Sequence, residues 1–281
     1  LMIGCSDMGT GCDTILAQMA ADGLGCDMDN IIVRGVDTDQ SPYDSGSYAS
    51  STTYVTGGAV VKACESMRKR ICEEAAAIMG LKSGEVDFDG ETISENDNPE
   101  HSMTLSDLIT SLEAGNGRII EVTESHTSPV SPPPFMAGAA EIEVDLETGK
   151  ITPINYVAAV DCGTVINTNL ARIQTEGGIV QGMGMTLYED VQYTEAGKMK
   201  NRNFMSYKIP TRLDMGSISV EFESSYEQTG PYGAKSIGEI VINTPAPAIA
   251  DAVYNATGLR FRTLPITAEQ VMMGLLEREE A

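Results

Sequence analysis

Gly230-Pro231-Tyr232-Gly233-Ala234-Lys235-Ser236-Ile237-Gly238 runs into Glu239 and then into the apolar triplet Ile240, Val241 and Ile242. Glycine and proline at this density exclude a regular helix or a central strand, so the chain is committed to a tight, specially shaped loop. A carboxylate at the end of that loop, beside apolar side chains, sheds water and gains proton affinity. Such an environment turns a glutamate into a general base. The same residues also read as a surface turn carrying a solvated Glu. Taken alone, they leave both readings open.

Three other polar, glycine-marked segments accompany it. Gly9-Thr10-Gly11 leads into a helix expected from Asp13 to Ala21. Free N–H groups at a helix start suit an anion, and a plain strand–helix turn is the alternative. The phosphate-loop pattern is missing, and Thr14 stands where the dinucleotide fingerprint needs its third glycine. The loop Ser45-Gly46-Ser47-Tyr48-Ala49-Ser50-Ser51-Thr52-Thr53 also precedes a helix. Its hydroxyls suit phosphate oxygens or an N-cap. Gln174, Gly177, Gly178 and Gln181, followed by Gly182 and Gly184, fall along one helical face. Bare backbone there admits a flat ligand, or lets the helix pack tightly on a sheet. Together these segments point to a large, hydrogen-bonded, phosphate-bearing ligand.

The rest of the chain narrows the function classes. It has 41 Asp and Glu against 18 Lys and Arg, a net charge of −23. Phosphate backbones and anionic membranes require clustered bases, so neither nucleic acid nor membrane is an expected partner. The cluster Arg68-Lys69-Arg70 reads as the wet face of a helix. Six cysteines (Cys5, Cys12, Cys26, Cys64, Cys72 and Cys162) form no Cys-x-x-Cys pair, and His101 and His126 lie far from them in sequence. That spacing argues against zinc and iron–sulfur sites and for reduced, mostly buried thiols of a cytoplasmic protein. No membrane-length apolar run and no signal peptide are visible. The abrupt start at Leu1 suggests a piece of something larger, or one subunit of an assembly.

Periodicity predicts strands over 1–4 and 31–36, a polar loop over 37–53, and a long helix from about Thr56 to Met79 closed by Gly80. Gly57-Gly58 near its start costs up to about 1 kcal/mol per glycine, which close approach of another backbone or a ligand would explain. A short hairpin is expected over 84–93, and a capping box at Thr104-Leu105-Ser106-Asp107 opens a short helix. The proline-rich stretch Ser128 to Pro134 reads as a linker, with a possible subdivision into 1–128 and 135–281. Beyond it come a hairpin (140–146 with 151–160), a glycine-rich helix from Leu170 to Glu189, and strands near 191–194 and 218–223. Helices opening at Pro245 and at the capping box Thr267-Ala268-Glu269-Gln270 follow. Strands and helices mix without strict alternation, which gives an α+β class with mixed sheets and packed helices.

Taken in order, these segments resemble the molybdenum hydroxylases, the xanthine dehydrogenase and aldehyde oxidase family. Gly233-Ala234-Lys235-Ser236-Ile237-Gly238-Glu239 is similar to the family's Gly-Ala-Lys-Gly-x-Gly-Glu. Asp7-Met8-Gly9-Thr10-Gly11-x-x-Thr14 is similar to its Glu-Met-Gly-Gln-Gly-x-x-Thr. Gln174-x-Glu176-Gly177-Gly178-x-Val180-Gln181-Gly182-x-Gly184 resembles its second cofactor helix, and Asp161-Cys162-Gly163-x-x-Ile166-Asn167 and Asn203-Phe204-x-x-Tyr207-Lys208-Ile209-Pro210 match in order and spacing. The resemblance covers essentially the whole chain.

The resemblance implies the second, C-terminal lobe of a xanthine dehydrogenase-type molybdopterin-binding domain, over residues 1–281. It implies a molybdenum pterin, as molybdopterin or its cytosine dinucleotide form, contacted by Gly9, Thr10, Gly11, Ala49, Ser50, Ser51, Thr52, Gln174, Gln181, Gly182, Lys235 and Ser236. No side chain of this lobe is expected to ligate the metal. Glu239 is implied as the general base for a water-derived hydroxyl on molybdenum, in the oxidation of a purine-type heterocycle or an aldehyde. Expected partners are the first lobe, FAD and 2Fe-2S domains or subunits, a small-molecule substrate and, when complete, a higher oligomer. The isolated fragment is expected to be inactive. Three departures stand out: Thr10 replaces the family's Gln, Ser236 its Gly, and bulky Tyr48 precedes Ala49 where small residues line the site. A lobe that only binds cofactor, and an unrelated metal-free hydrolase, are the competing expectations.

Overall fold

The computed structural model describes residues 1–279. The chain forms two compact units, Leu1–Pro132 with Glu227–Ala234, and Pro133–Tyr226 with Lys235 onward.

In the first unit, β1 (Met2–Ile3) pairs in parallel with β2 (Arg34–Gly35), and α1 (Cys12–Leu24) connects them. The strand expected over 31–36 shrinks because β1 offers it only two residues to pair with. Next comes α2 (Gly57–Met79), entered through one π turn over Thr52–Thr56. Both helices end on left-handed glycines, Gly25 (φ 76°) and Gly80 (φ 74°), the geometry that spares a Cβ. The Gly57-Gly58 pair is filled by side chains and not by a second backbone or a ligand. An added Cβ at Gly57 would lie 2.8 Å from Met19 Sδ, and one at Gly58 2.6 Å from the His126 ring.

β3 (Val86–Phe88), β4 (Thr92–Glu95) and β5 (Asn98–Thr104) form an antiparallel sheet. Its third strand was not expected. All of its residues but Met103 are exposed, so no alternation of burial marks it. At its end α3 (Leu105–Asn116) begins with the expected capping box: Asp107 N–H donates to Thr104 Oγ1 (3.1 Å), and Thr104 Oγ1 donates to Asp107 (2.7 Å). Ile71, Ala75, Phe88, Ile93 and Leu108 form the core beneath.

Arg68 departs from the reading of the basic cluster as a wet face. Its guanidinium donates to Leu24 O at the end of α1 (3.0 Å) and to Phe88 O in β3, and sits 5.5 Å from the Phe88 ring. Gly25 and Gly90 meet back to back at the same junction, where a Cβ on Gly90 (φ 114°) would fall 1.8 Å from Gly25 O. Lys69 and Arg70 are exposed, as that reading expects, although Arg70 also reaches Glu74 at 2.7 Å.

After α3 the chain turns back along α2. Arg118 pairs with Glu74, Ser66 Oγ donates to Glu124 (2.6 Å), Lys62 Nζ donates to Ser125 O (3.5 Å), and His126 fills the notch at Gly58. These helix positions are spaced by four, so they form one ridge. The ridge from Gly58 to Glu74 is about 24 Å long, which an extended Arg118–His126 segment (reach about 27 Å) just covers. Burial, followed by the Lys62 charge, lowers the His126 pKa, and its Nδ1 is buried without a hydrogen-bond partner among the described residues. A lowered pKa means that the unfolded chain takes up the proton first. Below the ordinary value of 6.5, acid therefore withdraws stability from this strap. The protection factors of the amides over residues 119–127, taken relative to intrinsic exchange at each pH, are expected to fall as pH falls from 7 to 5, and His126→Asn is expected to blunt the effect.

The excursion Glu227–Ala234 completes the unit. Pro231 is buried near Gly57, Tyr232 (φ 53°) donates to Met19 O (2.9 Å), and Thr229 Oγ1 lies 2.6 Å from Tyr54 Oη.

In the second unit, β6 (Phe135–Val144) and β7 (Ile151–Asp161) form a hairpin with a bulge at Glu141/Ile142, turning at Gly149 (φ 71°). β8 (Ser217–Phe222) adds in parallel to β7. α4 (Thr168–Leu187), α5 (Pro245–Thr257) and α6 (Ala268–Glu279) cover one face of this sheet. There Tyr156, Ala158 and Val160 pack with Ile179, Met183 and Ile249. The strand expected at 191–194 is only an isolated bridge between Tyr193 and Met199. Its side chains are exposed and have no layer to cover. The mixed sheets with packed helices are the α+β class that the sequence predicts. Among the described residues, no helix is long and apolar enough to cross a membrane.

Candidate functional site

The first unit presents two of the sequence-marked loops. Asp7 organises the turn before α1: one carboxylate oxygen accepts from Gly9 N–H (2.9 Å) and Gly11 N–H (3.2 Å), the other from Asp13 N–H (3.3 Å). Partial burial opposes its charge, yet these bonds, with one from Thr10, hold its pKa below the ordinary carboxylate value. The N–H groups expected to greet an external anion are thus partly engaged by the loop's own carboxylate. Ser47 Oγ donates to Ser6 O (3.2 Å), which ties this turn to the hydroxyl-rich loop. Asp44 in turn accepts from Gly46 N–H (2.8 Å) and Thr56 Oγ1 (3.1 Å). Ala49 (φ 50°) and Ser50 (φ 54°) are consecutive left-handed residues, a conformation that costs a side chain about 1–2 kcal/mol each. Tyr48 and Ala49 are exposed, while Ser50, Ser51 and Thr52 are half-buried.

The second unit presents the other two segments. On α4 the glycines divide between two faces. A Cβ on Gly178 would lie 2.1 Å from Val241 Cγ2, one on Gly182 2.7 Å from Pro245 Cγ, and one on Gly184 2.2 Å from a Glu189 oxygen. These three are spent on the protein's own packing. Gly177 is exposed, with nothing within 4 Å of an added Cβ. It lies between half-buried Gln174 and exposed Gln181. The result is a stripe of two amides flanking bare backbone.

The segment against Gly178 and Gly182 is the turn Ile240–Ile242, which directly follows Glu239. Val241 is 1% exposed and points inward, whereas Gly238 and Glu239 are exposed. The expectation of a dry glutamate is therefore corrected: the apolar run buries Val241 and turns Glu239 outward. Upstream, Lys235 is buried. Its Nζ donates to Asp161 Oδ2 (2.7 Å), its N–H to Cys162 O (2.7 Å), and it stands 5.3 Å from the Phe135 ring. Asp161 also accepts from Ser225 Oγ (2.5 Å) and Gly163 N–H (3.0 Å). Burial works against its charge, but Lys235, Ser225 and Gly163 together lower its pKa. The side chain of Lys235 thus fixes the loop to the end of β7. Ser236 is half-buried beside it.

Asp7, Cys12 and Asp13 bring one ligand atom each within 4.8 Å of one another. Burial raises the Cys12 pKa and the Asp7 oxygens are occupied by backbone N–H groups, so the group reads as an anchored turn. Burial likewise pushes the Cys5 thiol up to about 12 and the Cys162 thiol up to about 11, which disfavours the thiolate a metal needs. Asp7, Asp44, Asp161 and Val241 shape the site although none carried an expected role. The signal for the three aspartates was an acid two residues before a glycine turn, the local side-chain-to-backbone motif, and Val241 had none.

The molybdopterin cofactor-binding domain family matches residues 1–216. The chain is 33% identical over 277 residues to the probable hypoxanthine oxidase XdhD of Escherichia coli K12, covering 97% of this chain and 28% of that protein. It is 30% identical over 273 residues to the putative xanthine dehydrogenase molybdenum-binding subunit XdhA of the same organism, covering 95% and 36%. The structure of quinoline 2-oxidoreductase from Pseudomonas putida 86 superposes with a TM-score of 0.83 at 26% identity, covering 97% of this chain and 36% of that one. The chain thus spans about a third of the length of these relatives. With a family match over most of its length, it belongs to the molybdenum hydroxylases, as part of their molybdopterin cofactor-binding domain.

Proposed function

We propose that this chain is the C-terminal lobe of the molybdenum subunit of an enzyme that oxidises a purine-type heterocycle with oxygen derived from water. The observation that carries this reading is the stripe Gln174–Gly177–Gln181 on the helix against which the Glu239 turn is anchored. The similarity to proteins named for hypoxanthine and xanthine supports a purine over an aldehyde.

The residues fit a molybdenum pterin. Exposed backbone at Gly177 leaves room for a flat ring, and the amides of Gln174 and Gln181 match a ring edge that both donates and accepts hydrogen bonds. Gly9, Thr10, Gly11 and the hydroxyls of Ser50, Ser51 and Thr52 are assigned to its polar periphery, with Ala49 and Ser236 at close backbone approaches, whereas Gly182 is taken up by Pro245. When bound, the molybdenum pterin supplies Lewis-acid activation of water and takes up the two electrons of the oxidation. Glu239 receives the proton of the water-derived nucleophile on a carboxylate oxygen, and Lys235 positions the loop that bears it. Because Glu239 is exposed in this chain, its desolvation has to come from outside the chain. The isolated lobe is therefore expected to be inactive, and a first lobe is the assigned cover. 2Fe-2S and FAD groups on partner domains or subunits would carry the electrons away, and a relative named as a molybdenum-binding subunit supports the existence of such partners.

The test is Gln181→Ala in the assembled protein. Gln181 is exposed, so stability is expected to change by no more than about 0.5 kcal/mol. Loss of a hydrogen bond to the cofactor weakens its retention by about tenfold. Molybdenum per protein, measured after dialysis, is expected to fall while thermal unfolding stays put. Unchanged molybdenum content would overturn the assignment of α4.

A further inference from the structure

We propose that Glu239 is aimed by a two-point clamp within the second unit, Lys235 on Asp161 at one end and Val241 in the Gly178 socket of α4 at the other. The proposal rests on the reading of Glu239 as the base and makes Asp161, Lys235 and Val241 positioning residues for it.

At the upstream end, both halves of Lys235 are fixed to the end of β7. The ammonium is on Asp161 at 2.7 Å and the N–H is on Cys162 O at 2.7 Å. Lys235 is 8% exposed, so its pairing is strengthened by exclusion of water. Ser225 and Gly163 hold the other Asp161 oxygen, so the anchor is itself braced. At the downstream end, Val241 fills its socket completely. A single added carbon on Gly178 would lie 2.1 Å from Cγ2 and 2.9 Å from Cβ of a valine that is 1% exposed. A β-branched side chain has few rotamers with which to escape. Gly182 repeats the fit one turn on, against Ile242 O at 3.0 Å and Pro245 Cγ.

Only Ser236 to Ile240 lie between the two anchors, and Ile237 packs on the core. Ile242 N–H to Glu239 O (3.4 Å) and Asn243 N–H to Ile240 O (3.2 Å) close the turn. An exposed glutamate on a loose loop would sample many positions. Here its Cα lies two residues from a jammed contact and four from a buried ion pair. The consequence is geometric: a misplacement of about 1 Å at a reacting group costs on the order of 10²-fold in rate.

The experiment uses the assembled, molybdenum-loaded enzyme with xanthine or hypoxanthine. It compares Gly178→Ala, Val241→Ala, the double variant Gly178→Ala/Val241→Ala, Asp161→Asn and Glu239→Gln. Gly178→Ala drives Val241 from its socket, and the double variant returns room for the added methyl. We expect Gly178→Ala to lower kcat by roughly tenfold or more with KM within about twofold, and the double variant to recover most of that loss. Asp161→Asn keeps the shape while weakening the upstream anchor, and is expected to lower kcat severalfold; it serves should Gly178→Ala fail to fold. Amide exchange at Ile242 and Asn243, read on the same protein without turnover, is expected to quicken in Gly178→Ala and to slow again in the double variant.

If Gly178→Ala and Asp161→Asn both turn over within twofold of the parent while Glu239→Gln loses most activity, the clamp is refuted and the base survives. If Glu239→Gln itself turns over normally, the base reading fails and the clamp fails with it. Failure of the double variant to recover either readout also refutes the socket.

Discussion

Glu239→Gln in the assembled enzyme is expected to keep its molybdenum and lose about 10²–10⁴-fold in kcat. The substitution preserves shape and removes the ability to take a proton. Glu239 is exposed and lies outside the core, so folding should be insensitive to it, with a change within about 0.5 kcal/mol. A separation of chemistry from stability is the signature sought: normal metal content, normal unfolding and a collapsed kcat. Oxidation of xanthine or hypoxanthine at a near-normal rate would remove Glu239 from the mechanism.

Gly90→Ala is expected to be the most damaging single methyl in the first unit, at about 3–5 kcal/mol. Two costs add. The backbone stands at φ 114°, outside the range of L side chains, and the new Cβ would fall 1.8 Å from Gly25 O and 2.3 Å from Gly25 C. Both are backbone atoms of the α1 cap, and Arg68 pins the adjacent Leu24 carbonyl. Relief therefore means separating α1 from the β3–β4 turn. Gly80→Ala is the natural control, because it shares a positive φ (74°) but has nothing within 4 Å of its Cβ. It is expected to cost only the left-handed penalty, about 1–2 kcal/mol. Calorimetric unfolding distinguishes the two, with Tm lowered on the order of 10 °C by Gly90→Ala. Equal transitions for both variants would mean that the Gly25 carbonyl yields freely and the junction is soft.

Where one physical signal dominated, the sequence was legible. Gly80 and Gly258 end their helices as expected, and the Thr104 and Thr267 boxes open theirs. β5 and the bridge at Tyr193 were misread for opposite reasons: one strand pairs while tucking in only Met103, and one apolar alternation has no layer to cover. The α4 glycines show the limit most clearly. Spacing allowed either a ligand or close packing, and the fold gives Gly178, Gly182 and Gly184 to packing while Gly177 faces open space. Helical periodicity places those residues within a turn of each other, and only the neighbouring chain tells them apart. Glu239 was legible as a position and illegible as an environment, because Val241 and not Glu239 takes the buried side of the run.

The detour of Glu227–Ala234 into the first unit has a consequence for biogenesis. A ribosome that has delivered everything through Pro132 has not yet made the piece carrying Pro231 and Tyr232. The hydroxyl that meets Met19 O emerges only after most of the other unit has been synthesised. Nascent chains stalled before Glu227 should therefore leave Gly57 and Met19 uncovered and invite chaperones, and those stalled well past Ala234 should release them. Neither half can finish maturing before its neighbour has been translated, so the polypeptide commits to its final form late and as a whole.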